Sequence, residues 1–109
     1  MDYTLYILIN PKLNKGQRIA QAAHAAVEIT RTHHTPEGRC ETFEKWLSDP
    51  RLICLAVDPR EVTGLVNRCC REGYEVADFR DDDFDVTTWG IGPVPCGEAR
   101  TIFAGYKLA

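Results

Sequence analysis

The sequence predicts an α/β fold in one domain: a mixed four-stranded sheet with helices on both faces, in three α/β/α layers. Two observations carry this. Apolar runs of strand length alternate with stretches of helical periodicity, in the order β-α-α-β-α-β-β-α, and such alternation builds layered sheets. The third and fourth strands are separated only by a short acidic turn, so they run antiparallel and the sheet is mixed. A chain of 109 residues is long enough to bury one hydrophobic core without staples.

Each element has its own justification. Tyr3–Ile9 (YTLYILI) is apolar, aromatic and β-branched, as in a central strand buried on both faces. Asn10-Pro11 breaks it. A helix follows from Asn14 to near Thr32, with Asn14 as cap and Gln17 three residues on, the spacing of a capping box. Its residues divide into two faces. Ile19, Ala22, Ala23, Ala26, Ile29 and Thr30 form the apolar or small side expected to face inward. Gln17, Gln21, His24 and Glu28 form a polar stripe opposite.

His33–Gly38 reads as a loop. Glu41–Leu47 reads as a second helix with Phe43, Trp46 and Leu47 inward. Leu52–Val57 (LICLAV) is the second strand. Asp58 caps a third helix, Pro59 occupies its first turn, and Gly73 follows its end near Arg71. Val62, Leu65, Val66 and Cys69 share one side of it. Tyr74–Phe79 and Val86–Ile91 are strands three and four, joined through Asp81-Asp82-Asp83, and Gly92-Pro93 ends the last of them. Glu98–Ala104 forms a short closing helix.

Composition narrows the function classes. A net charge of −3 argues against a general polyanion-binding protein, though not against a local basic patch. Cys40, Cys54, Cys69, Cys70 and Cys96 are odd in number and contain no CxxC pair. Reduced, partly buried thiols fit that pattern, so a cytosolic setting is expected. No apolar run has the length of a membrane span, and the opening residues carry no signal-peptide pattern.

Several chemistries lack their residue patterns. His24, Glu28, His33 and His34 cluster in sequence, but without HExxH or a third ligand at metal spacing, so no metal is expected. No cysteine stands in a nucleophile motif, and there is no P-loop or GxGxxG. No cofactor is expected. What remains is the first helix. Lys15 and Gly16 sit in its first turn, where unpaired N–H groups and the helix dipole favour an anion. The acidic run Asp78, Asp81, Asp82, Asp83 and Asp85 reads first as a solvated turn, yet it can bring one carboxylate to the mouth of a site at the sheet edge.

The stretch NKGQRIAQAAHAA resembles the signature of the type 2 peptidyl-tRNA hydrolases, the archaeal and eukaryotic kind, roughly GKGKxAAQxxHAA. The match is ungapped and includes Lys15, Gly16, Ala20, Gln21, His24, Ala25 and Ala26. Trp46 and Leu52–Val57 fall where that family has a tryptophan and a second strand. TTWGIGP at Thr87–Pro93 resembles its threonine-led strand ending in Ile-Gly-Pro. AGYKL at Ala104–Leu108 resembles its closing Thr-Gly-x-Leu-Lys-Leu. Two departures stand out. The family's second lysine is Gln17 here, and the neighbouring Arg18 points about 100° away from the stripe. The family's Asp-Ala-Gly-x-Thr loop is shortened. Asp78 is the better match for its aspartate and Asp81 the alternative, while Thr87 aligns at the start of the fourth strand.

The resemblance implies hydrolysis of the ester joining a peptide to the terminal ribose of tRNA, with the tRNA acceptor end as partner and a homodimer as the assembly. It implies catalytic roles for Gln17, Gln21, His24, Asp78 and Thr87. Lys15, Gly16 and Arg18 would hold phosphate. Asp78 or His24 would activate water, and Gln17 and Gln21 would donate to the carbonyl or oxyanion. Replacement of the lysine by Gln17 predicts a weaker enzyme. The alternative is a non-catalytic member of the fold that binds tRNA or a protein partner.

Overall fold

The computed structural model describes residues 2–35 and 38–109. In chain order the elements are β1 (Tyr3–Ile9), α1 (Lys15–Thr32), β2 (His34–Thr35), β3 (Gly38–Arg39), α2 (Glu41–Ser48), β4 (Arg51–Ala56), α3 (Pro59–Arg71), β5 (Val76–Asp81), β6 (Val86–Pro95), α4 (Cys96–Ile102) and β7 (Lys107–Leu108). The main sheet is mixed and has the order β5-β6-β1-β4-β7. β1 pairs parallel with β4 and antiparallel with β6, and the β5–β6 hairpin is antiparallel.

The sheet therefore has five strands, not four. The extra one, β7, is only two residues long and leaves no periodic signal. β2 and β3 pair separately from the main sheet, from His34 in the expected His33–Gly38 loop to Arg39 just past it; residues 36 and 37 of that loop lie outside the described residues. Two boundaries also move. β5 begins at Val76 and reaches Asp81, so the acidic run enters the strand. β6 continues through Gly92-Pro93, whose peptide bond is cis, to Pro95, with a register shift against β1 between Thr4 and Tyr6. The closing helix accordingly starts at Cys96, not Glu98.

β1 is buried along nearly its whole length, and its alternation sorts the core into two clusters. Leu5, Ile7 and Ile9 pack with Ala25 and Ile29 of α1 and with Phe43 and Trp46 of α2. Tyr6 and Leu8 pack with Leu65, Val66 and Cys69 of α3 and with Ala99 and Ile102 of α4. The layering is uneven. The α1 face is open over Cys54, where Ile9, Leu13, Ile19 and Ala22 help line a recess of about 560 Å³. Leu47, expected inward, is exposed at the end of α2.

α1 starts where the sequence places it. Asn14 Oδ1 accepts from the Gln17 backbone N–H and Gln17 Oε1 accepts from the Asn14 backbone N–H, both at 2.9 Å, closing the capping box. Its rotation differs from the expectation. The buried positions are Gln21, Ala25 and Ile29, whereas Ile19 and Val27 are 63% and 57% exposed and Ala23 is exposed. The helix presses on β6 at Gly90. A Cβ there would meet Ile29 Cβ at 2.8 Å and the Ala25 carbonyl at 3.1 Å, so only glycine permits this approach.

Candidate active site

The rotation of α1 sets Gln21 at the centre of a polar contact inside the helix–sheet interface. Its side chain is only 2% exposed. Gln21 Nε2 donates to Asp81 Oδ2 at 2.6 Å, and Gln21 Oε1 accepts from Thr88 Oγ1 at 3.2 Å. A buried carboxamide needs such partners, since an unmade hydrogen bond there costs about 1–3 kcal/mol. The other oxygen of Asp81, Oδ1, accepts from the Asp83 backbone N–H at 3.0 Å. The carboxylate is thus held by both oxygens while its residue remains partly open to solvent.

One turn further along α1, the His24 ring stacks on Phe79 of β5, with centroids 4.3 Å apart and planes 8° from parallel. His24 is otherwise exposed. No hydrogen bond engages its ring nitrogens among the described residues. Aromatic stacking fixes the ring's plane and leaves its edge toward solvent.

Strand alternation decides which acidic and hydroxyl groups join this site. On β5, Ala77, Phe79 and Asp81 face α1. Val76 packs against the opposite cluster, and Asp78 shares its side of the strand and is exposed. On β6, Val86, Thr88 and Gly90 face α1, whereas Trp89 packs on the opposite face. Thr87 lies on that opposite face, cross-strand from Arg80, whose Nη1 donates to it at 3.4 Å. The expected pair, Asp78 and Thr87, is therefore not brought to the helix stripe. Asp81 and Thr88 stand there instead. Asp81 was the alternative match. Thr88 and Phe79 were missed, although the alternation of Phe79 with Arg80 and of Thr87 with Thr88 was the signal that separates the two faces.

The remaining candidates divide. Lys15 is exposed at the first position of α1, beside the exposed Gly16. Gln17 uses its Oε1 in the capping box. Arg18 spends two of its guanidinium donors on the backbone. Its Nε donates to the Leu13 carbonyl at 2.7 Å and its Nη2 to the Pro11 carbonyl, which ties down the loop before the helix. Glu28 pairs with Arg31 at 3.2 Å. His33 is buried away from His24, against Phe43. Among the described residues no three His, Cys, Asp or Glu side chains are grouped to hold a metal.

The acidic turn is partly neutralised from within. Arg80 Nε donates to Asp82 Oδ1 at 3.3 Å, and Arg80 also pairs with Asp85. Donation to the Asp85 and then the Asp82 carboxylate raises the guanidinium's pKa above its ordinary value. The recess over Cys54 lies on the other flank of α1 and is largely apolar, with Lys15 and Arg18 the charged side chains on its rim. Of the two flanks of α1, the Gln21–Asp81 side is the one that carries both a carboxylate and an imidazole among the described residues.

The family model described as Peptidyl-tRNA hydrolase PTH2 matches residues 3–109. The chain belongs to this family. No curated protein matches it. As a member of the peptidyl-tRNA hydrolase PTH2 family, it carries the α1 stripe, both threonines of β6 and the closing strand within one matched span. No helix among the described residues is long and apolar enough to cross a membrane.

Proposed function

We propose that this protein hydrolyses the ester of peptidyl-tRNA, with Asp81, Gln21 and His24 as its working centre. Membership of the PTH2 family gives the reaction class. The single observation that carries the site is the doubly held Asp81 carboxylate, bonded to a buried Gln21 and on the same face of β5 as Phe79, on which the exposed His24 stacks.

In this reading Asp81 accepts a proton from a water as it attacks the ester carbonyl. The carbonyl oxygen becomes an oxyanion, and the amide of Gln17 supplies a hydrogen bond to it. His24 delivers a proton to the departing ribose oxygen, and the products are free peptide and tRNA. Thr88 is a positioning residue: its hydroxyl occupies Gln21 Oε1, which turns Nε2 toward Asp81. Lys15 and the first-turn N–H groups hold phosphate of the acceptor end. The composition supports a cytosolic setting, and the family likeness supports a pair of chains.

The test is release of the acyl group from N-blocked aminoacyl-tRNA. Release that disappears in Asp81→Asn supports the reading. No release above buffer at high protein concentration overturns it.

A second reading draws on Gln17. The residue at this family lysine position is neutral, and its side chain closes the helix cap. A member that binds tRNA without cleaving it would retain tRNA at low salt, lose it as salt rises and show no turnover.

A further inference from the structure

We propose that Cys40 and His33 form a second reactive centre, a base-assisted thiol that exchanges with small disulfides. It stands apart from the site above. His33 is bonded to Gly92, four residues beyond Thr88 and about 13 Å along β6 at strand spacing. The inference does not depend on the hydrolase reading.

The geometry fixes the proton positions. His33 is 5% exposed, and its ring lies stacked on Phe43, centroids 4.9 Å apart at 12°. His33 Nε2 is 2.8 Å from the Gly92 carbonyl oxygen, and Nδ1 is 3.0 Å from Cys40 Sγ. A carbonyl only accepts, so Nε2 carries the hydrogen. The neutral ring then presents its lone pair at Nδ1 to the thiol, and the S–H donates to it. This is the arrangement that makes a thiol a nucleophile: a base in contact, itself oriented by a third group. Cys40 caps α2 without a side-chain cap bond, so its sulfur is not committed to the helix end.

The residue is open to solvent. Cys40 is exposed and, with His33, lines a cleft of about 350 Å³ whose other walls include Tyr3, Tyr74, Glu75 and Pro93. Such a cleft accommodates a small organic group beside the sulfur. The Glu75 carboxylate favours one that carries an ammonium group.

The step balances. Cys40 passes its thiol proton to His33 Nδ1 as its sulfur attacks one sulfur of a disulfide R–S–S–R. The Cys40–S–S–R bond forms and the original S–S bond breaks. The electron pair leaves with R–S⁻, which takes the proton back from His33 and departs as R–SH. Cys40 is oxidised and half of the disulfide is reduced. The imidazolium formed in passing keeps its bond to Gly92.

The test uses cystamine on the whole protein, with the modification of each cysteine followed over time by peptide mass spectrometry. Cys70, also exposed, is the internal control. Cys40 is expected to react at least about tenfold faster than Cys70, and the excess is expected to vanish in concentrated urea, where the pair no longer exists. Equal native rates, or an excess that survives urea, overturn the proposal. His33→Gln keeps an amide N–H to reach the Gly92 carbonyl but removes the base. It should bring Cys40 down to the Cys70 rate, and an undiminished excess in a folded His33→Gln protein overturns the role of His33. Should that variant fail to fold, the native-against-urea comparison decides the matter.

Discussion

Gln21 Nε2 and Asp81 Oδ2 meet at 2.6 Å across 60 residues of chain, joining the first helix to the far edge strand of the sheet. Asp78 stands only three residues away but on the other side of β5. Asp81→Asn keeps the side-chain size and removes the carboxylate. It should lower the rate of acyl release by about 10²-fold or more, in the range of a lost general base. Asp78→Asn should stay within about twofold, as expected of a group outside the reacting centre. Equal losses in a side-by-side turnover assay would contradict the assignment of Asp81.

Gln21 is also structural. Gln21→Ala strands the Thr88 hydroxyl and one Asp81 oxygen and leaves a void beneath α1. The unmade bonds and the void together should cost about 2–4 kcal/mol, read as a lower midpoint of urea unfolding with an unchanged slope. A shift below about 0.5 kcal/mol, typical of a surface change, would show that the contact is not formed.

Gly90→Ala tests the close approach of α1. The added methyl would stand 2.8 Å from Ile29 Cβ and 3.1 Å from the Ala25 carbonyl, so the helix must lift. Overpacking of this kind costs about 1–3 kcal/mol. Because Gln21 and His24 ride on the same helix, activity should fall together with the unfolding midpoint. Wild-type stability in Gly90→Ala would rule out the approach.

Gln17→Lys places a cation where the signature that α1 resembles has a lysine. Loss of the reciprocal cap bond should cost about 0.5–1 kcal/mol. If position 17 faces the ester, a cation stabilises the oxyanion better than an amide does, and the turnover rate should rise. An unchanged or lower rate would remove position 17 from the reacting centre.

Burial pushes the Cys69 thiol from 9.0 up to about 11, with Cys70 and Glu72 adding to the rise and Arg68 opposing it. The folded protein keeps this proton where the unfolded chain has lost it. The resulting stabilisation is complete below the unfolded value of 9.0 and is lost as pH climbs through the folded value of about 11. The shift corresponds to about 3 kcal/mol across that window. Urea unfolding at stepped alkaline pH should show the decline in wild type and a shallower one in Cys69→Ala. Identical slopes would refute it.

Local signals in the sequence carried the elements well. The Asn14–Gln17 spacing marked the start of α1, Asp58-Pro59 marked that of α3, and the unbroken apolar run of β1 marked a strand covered on both faces. The site was harder to read because its decisive facts are non-local. Hydrophobicity turns Ile19 inward and Gln21 outward, yet the structure does the reverse. Gln21 is satisfied by partners 60 and 67 residues away, and nothing near it in sequence announces them. On β5 and β6 the residues matched by resemblance, Asp78 and Thr87, lie on the face opposite α1, and Asp81 and Thr88 lie on the face toward it. A family threonine or aspartate can be matched to either of two nearby positions, and a single step along a strand moves a side chain through the sheet.

The two-residue β7 has a consequence beyond its size. Lys107 and Leu108 pair with Ala56 and Leu55, and the Ala109 N–H reaches the Cys54 carbonyl at 2.9 Å. These residues cover the outer edge of β4 from Cys54 to Ala56. Clipped off, they would bare a ladder of backbone donors and acceptors beside the exposed Leu52, a template onto which another molecule can add. Lys107–Ala109 thus keep that stretch of backbone paired.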